Sequence, residues 1–282
     1  MWSLTEPDID ATALYDTCTT GLQNVQLSQK LDLAKPLVEG AYAAYVTFAA
    51  AGLLHQFPRS EVVGEVTRHE MSSLYDNRLA RLGSPGRQAY DLILNGPRNG
   101  RCPLCGHRRV STLDHHLPQS RFAAVALYPL NLVPACKDCN FTKRQTTSET
   151  EEENTLHPYF DNVEGDRWLR ATLVETEPAS LSFHVAPPQS WPAVLGDRVR
   201  HHFTTFRLGQ LYALEAADEI ATVQHSIDSL LQAAGAPSVR AHLEDEALRL
   251  GMTRPNWWRT AMYEALATSD WYCNGRARPI DS

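Results

Sequence analysis

The chain lacks a long apolar run free of charge. Its most apolar stretch, Pro36 to Leu54 (PLVEGAYAAYVTFAAAGLL), is interrupted by Glu39 and Gly40 and is rich in alanine. That composition fits a buried helix better than a membrane span, which needs about 20 predominantly apolar residues. The opening MWSLTEPDID is polar and acidic and has no signal-peptide core. No internal repeat or low-complexity tract is present, which excludes a solenoid. An overall excess of basic residues is missing too: 26 Lys and Arg face 33 Asp and Glu, a net charge of −7. Such a balance does not favour approach to a polyanion. The expectation is a cytoplasmic protein that does not span a membrane. Its 282 residues, 43% of them hydrophobic, allow one large domain or two smaller ones with a substantial core.

The charge is unevenly spread. From Arg98 to Gln145 there are eight Lys and Arg against two Asp and Glu, a local surplus of +6 that leaves −13 on the rest. The same stretch holds four of the six cysteines, as two Cys-x-x-Cys pairs: Cys102 with Cys105, and Cys136 with Cys139. Two such pairs about thirty residues apart have the spacing of a four-thiolate zinc site. Zn²⁺ with four thiolates is coordinatively closed, so the site would be structural. Bound zinc would bring the local surplus to about +4. Gly106, directly after Cys105, suits the turn of a metal knuckle. Cys18 and Cys273 remain as free buried thiols of a reducing compartment.

Between and after the knuckles lie Asp114-His115-His116, Asn131, Asn140 and Lys143. A carboxylate beside an imidazole offers a hard oxygen ligand for Mg²⁺ or Mn²⁺ and a titratable base next to it. Val110 to Leu113 is short and β-prone, and Lys137 to Lys143 reads as the start of a helix. Each residue also has a plain structural reading. Asp114 suits a cap, His116 a half-buried imidazole, Asn131 and Asn140 turns, and Lys143 a solvated surface charge. It is the combination inside a thiolate frame that favours chemistry.

These residues form a pattern: Cys102-x2-Cys105, Leu113-Asp114-His115-His116-Leu117-Pro118-x-Ser120, Asn131-Leu132-Val133-Pro134 and Cys136-x2-Cys139-Asn140-x2-Lys143. The pattern resembles a zinc-containing HNH endonuclease of the ββα-metal type, over about a sixth of the chain. The resemblance implies that Asp114 and Asn140 hold a catalytic divalent metal and that His115 is the general base. His116 is the alternative base, and Asn131 fixes the loop carrying the base. Lys143, one helical turn after Asn140, would face the same way and contact phosphate. Arg98, Arg101, Arg108, Arg109, Arg121 and Arg144 are candidate nucleic-acid contacts. The implied activity is metal-dependent hydrolysis of phosphodiester bonds, in DNA before RNA. Free-standing chains of this appearance resemble HNH effectors of bacterial anti-phage defence, some of which work with an ATPase partner. The rival reading is a zinc-ribbon module that binds nucleic acid or protein without catalysis.

The flanks read as helical. Residues 10 to 54 suggest two or more helices, with Pro36 in a first turn. Thr67-x-x-Glu70 reads as a capping box opening a helix to about Leu82, and Ser84-Pro85 as the start of the next. His157-Pro158-Tyr159-Phe160-Asp161 is expected to pack back onto the metal module. Residues 168 to 185 suggest a β-hairpin. A long helix is expected from Asp197 to Ala234, stopped at Gly235-Ala236-Pro237, then two shorter ones. Asn256-Trp257-Trp258-Arg259 reads as core packing or a presented aromatic pair. The expected class is α+β, mostly α-helical, with three regions: helical 1–97, a zinc-stapled ββα module with its hairpin at 98–188, and helical 189–282.

Overall fold

A computed structural model describes residues 1–143 and 147–276. The fold is α+β, dominated by helices, with three two-stranded antiparallel sheets among the described residues. It divides into two compact units, Met1–Asn162 and the chain from Val163 onward. This differs from the three regions read from the sequence.

The first unit begins with α1 (Ala11–Thr19), capped by Asp10, and α2 (Val25–Ala50), capped by Asn24. Pro36 was expected to start a helix; instead α2 runs straight through it. The apolar stripe Leu31, Ala34, Val38, Tyr42, Tyr45 and Ala49 is buried on both sides of the proline, so packing overrides the local penalty. Pro36 itself faces outward, where water can take the carbonyl it leaves unpaired. A short hairpin, β1 (Val62–Val63) and β2 (Val66–Thr67), leads into α3 (Arg68–Leu74). The Thr67–Glu70 capping box is present, with both reciprocal hydrogen bonds. The helix does not continue to Leu82: Tyr75–Ala80 is a π-helical turn. The next helix, α4 (Arg87–Asn95), is capped by Gly86 rather than Ser84. A Cβ at Gly86 would lie 2.9 Å from both the Arg78 carbonyl oxygen and Cys18 Sγ, so only glycine fits there.

The motif stretch folds as β3 (Thr112–His115), β4 (Leu132–Ala135) and α5 (Lys137–Lys143), the strands antiparallel with Asp114 opposite Val133 and His115 opposite Leu132. Leu113, Leu117, Val125, Leu127 and Leu132 share one hydrophobic core with Leu31, Val38, Tyr45, Met71 and Leu79 of the preceding helices. That shared core explains why residues 1–97 are not a separate region.

In the second unit the expected hairpin is present as β5 (Leu169–Val174) and β6 (Ser180–Val185). It belongs here, against the helices, and not to the metal module. Then come α6 (Ala193–Thr205), α7 (Leu208–Gly251), α8 (Trp258–Thr268) and α9 (Asp270–Cys273). The single long helix expected from Asp197 is broken at Arg207, which takes φ 51°. Gly209 follows, where a Cβ would lie 3.2 Å from the Phe203 ring. Gly235 interrupts α7 where the stop was expected, with φ 77°. Asn256 ties down β5, its Oδ1 accepting the Trp168 and Leu169 N–H groups at 2.9 and 3.1 Å. Trp258 is buried, and Arg254 and Arg259 lie over the Trp257 ring.

Candidate functional site

Four cysteines converge first. The Sγ atoms of Cys102, Cys105, Cys136 and Cys139 all lie within 4.8 Å of one another, and all four residues are buried. A tetrahedral zinc with bonds of about 2.3 Å would set its sulfurs roughly 3.8 Å apart, so the cluster has the right size. Each pair forms a knuckle in which a backbone N–H points at sulfur: Arg108 N–H at Cys105 Sγ, and Cys139 N–H at Cys136 Sγ, both 3.4 Å. Gly106 N–H donates to the Cys102 carbonyl at 2.8 Å, with φ +64° that suits glycine. Arg108 and Asp138 form a 2.9 Å ion pair that links the two knuckles. The donor set is all thiolate, which suits a structural metal ion such as zinc.

The strand pair and α5 carry the second constellation. Asp114, His115 and Asn140 line one cleft of about 280 Å³, together with Thr112, Tyr75 and Gln119. Asp114 is 5% exposed. Burial pushes its carboxyl pKa up, and the ammonium of Lys143, 2.9 Å from Oδ2, works against that rise. His115 Nε2 lies 2.9 Å from the Ala126 carbonyl. That carbonyl can only accept, so Nε2 carries the proton and Nδ1 keeps its lone pair. Burial lowers the His115 pKa to about 4; the Ala126 hydrogen bond opposes this and the Lys143 charge reinforces it. The ring is therefore neutral near pH 7 and is held edge-on by Tyr75, 4.5 Å between centroids. Asn140 Nδ2 donates to Thr112 Oγ1 at 3.4 Å, which leaves its amide oxygen available.

Of the two adjacent imidazoles, His115 lines the cleft and His116 does not. The His116 ring instead packs on His157, 4.1 Å between centroids, and its backbone N–H donates to the Asn131 carbonyl at 2.8 Å. Asn131 is fully buried. Its Oδ1 accepts from Leu117 N–H at 2.7 Å and Tyr45 Oη at 3.2 Å, and its Nδ2 donates to the Leu117 and Val125 carbonyls at 3.1 and 3.0 Å. Every hydrogen-bonding position of this carboxamide is used. It clamps the loop that follows His115 and His116.

The segment from His157 to Asp161 packs against this clamp. Tyr159 N–H reaches His157 Nδ1 at 3.3 Å, so the proton sits on Nε2, 3.0 Å from Tyr45 Oη. Tyr159 Oη donates to the Leu132 carbonyl at 3.2 Å.

Lys143 departs from expectation. The sequence reading placed it on the surface facing phosphate, but it is 4% exposed. Its ammonium is bound to Asp114 and donates to the His115 carbonyl at 2.7 Å. The i+3 position after Asn140 turns inward onto β3 rather than out of the cleft. Arg98, Arg101, Arg109 and Arg121 are exposed, Arg108 is engaged by Asp138, and Arg144 lies outside the described residues.

Tyr45, Tyr75 and Gln119 were not singled out from the sequence. Tyr45 reaches Asn131 from 86 positions away, and no local pattern signals such a contact. The Gln119 position is the unspecified one between Pro118 and Ser120.

No family model matches the chain, and no solved structure matches it. It is similar to protein ea31 of Escherichia phage lambda, 27% identical over 285 residues that cover 93% of this chain and 95% of that one. No helix among the described residues is long and apolar enough to cross a membrane.

Proposed function

We propose that this protein is a metal-dependent HNH-type endonuclease that hydrolyses phosphodiester bonds of DNA. The observation that carries this reading is the meeting of Asp114, neutral His115 and Asn140 in one cleft beside a four-cysteine cluster. In this reading His115 Nδ1 takes the proton of a water that attacks phosphorus. The Ala126 carbonyl fixes the ring and its tautomer, and Tyr75 limits its tilt. A positioned base of this kind contributes about 10²–10⁴-fold. Asp114 and Asn140 offer a carboxylate and an amide oxygen, which suit Mg²⁺ or Mn²⁺. When bound, such an ion neutralises charge on the phosphate and the leaving oxygen. Asn131 holds the loop that follows His115. In this reading the exposed Arg101, Arg109 and Arg121 are the candidate contacts to the phosphate backbone.

The setting proposed is anti-phage defence in the cytoplasm, with an ATPase as a partner. The name of the similar phage protein gives no activity. The rival reading, a zinc-stapled binding module, gives no reason for a carboxylate, an imidazole and a carboxamide to line one cleft. Nicking of supercoiled plasmid with Mg²⁺ or Mn²⁺, alongside a matched RNA, separates the readings. Metal-dependent cutting that His115→Ala removes supports the enzyme. Nucleic-acid binding with no cutting under either metal supports the module.

A further inference from the structure

The cleft holds one carboxylate, and that carboxylate already has a cation. Asp114 Oδ2 and Lys143 Nζ are 2.9 Å apart, with side-chain exposures of 6% and 5%. Lys143 also donates to the carbonyl of His115 at 2.7 Å, so its ammonium is held at the junction of the two residues that head the motif. The other polar side chains lining the cleft are neutral: Asn140, Gln119, Thr112, Ser120, the Tyr75 phenol and an imidazole whose Nε2–H is given to a carbonyl. The net charge of the cleft is therefore zero.

Hard divalent ions are held by the summed charge and number of oxygen ligands. A divalent ion entering this cleft would meet one carboxylate shared with an ammonium, plus amide and hydroxyl oxygens. It would also be repelled by Lys143, in an interior where screening is weak. The missing negative charge is what a phosphodiester carries.

Resting on the nuclease reading, we propose that Lys143 sets the cleft's charge so that the divalent ion is taken up together with a nucleic-acid phosphate and not before it. Lys143 is then a positioning residue that works through Asp114. Linkage makes the effect reciprocal: whatever factor the nucleic acid adds to metal affinity, the metal adds to nucleic-acid affinity.

The test is Mn²⁺ binding, followed by electron paramagnetic resonance on the full zinc-loaded chain. His115→Ala is used throughout to slow cutting. Mn²⁺ is titrated with and without a short duplex, and Asp114→Asn with the same duplex gives the background held by DNA alone. The duplex is expected to tighten Mn²⁺ binding at the Asp114 site at least tenfold. Lys143→Met is expected to raise Mn²⁺ affinity of the free protein about tenfold and to shrink the duplex effect. Lys143→Arg, which keeps the charge, should keep the coupling. Should Lys143→Met fail to fold, the duplex comparison and Lys143→Arg still decide. Equal Mn²⁺ affinity with and without duplex would overturn this inference and leave the nuclease reading standing. No Mn²⁺ at Asp114 under any condition would overturn both.

Discussion

His115 carries the sharpest consequence at the scale of the residue. With its pKa held near 4 rather than 6.5, it stays neutral through the range where an ordinary imidazole gains its proton. The acid limb of kcat/KM against pH should therefore fall well below 6.5, and a limb at 6.5 would contradict the environment described. The same shift has a sign for stability. Between about 4 and 6.5 the unfolded chain binds the proton that the folded chain refuses, so this residue lowers stability as pH falls through that window. Asn131 offers a second test. Asn131→Ala leaves Leu117 N–H and the Leu117 carbonyl without their partner and takes from the Val125 carbonyl one of its two donors, the other being Tyr128 N–H. A loss of at least about 2 kcal/mol is expected in urea unfolding, whereas Tyr45→Phe should cost about 1 kcal/mol. A near-neutral Asn131→Ala would show that the loop does not depend on it. At this scale the cysteines were legible because a metal dictates its ligands' spacing. Asp114, His115 and Asn131 were legible through their offsets. Tyr45 and Tyr75 were not, because they arrive from distant helices. Lys143 was misjudged because the facing of α5 depends on packing that a local pattern does not contain.

Among the elements, α2 shows where local rules give way. A proline inside a helix signals a break, yet the stripe from Leu31 to Ala49 buries one continuous face. Replacing exposed Pro36 by alanine should restore a hydrogen bond and a better propensity, with a gain of about 1 kcal/mol or more in the urea midpoint. A loss would mean that the proline is needed for the helix's course. The capping box at Thr67 and Glu70 was readable because its hydrogen bonds are local. The π-helical turn that follows was not, and it is the element that delivers Tyr75 to the His115 ring. The hairpin of β5 and β6 was readable from alternation, but its membership of the second unit was not, since that depends on contacts with α7 and α8.

For the molecule as a whole, the first unit joins a helical core to the four-cysteine cluster. One core runs from Leu31 and Tyr45 to Leu113 and Leu132, so the knuckles restrain more than themselves. Cys102→Ser should therefore lower the metal content and the melting temperature together, because ligation energy is folding energy. Metal analysis with a thermal melt checks it. A variant that keeps one zinc per chain and melts like the parent would remove the staple. The central claim is that Asp114, His115 and Asn140 make a hydrolytic centre, and cutting by the purified full chain tests it most directly. With Mg²⁺ or Mn²⁺ the parent protein should nick supercoiled plasmid, and folded, zinc-loaded His115→Ala should be slower by about 10²-fold or more. Parent and His115→Ala proteins that cut equally, or a parent that cuts with neither metal, would contradict it.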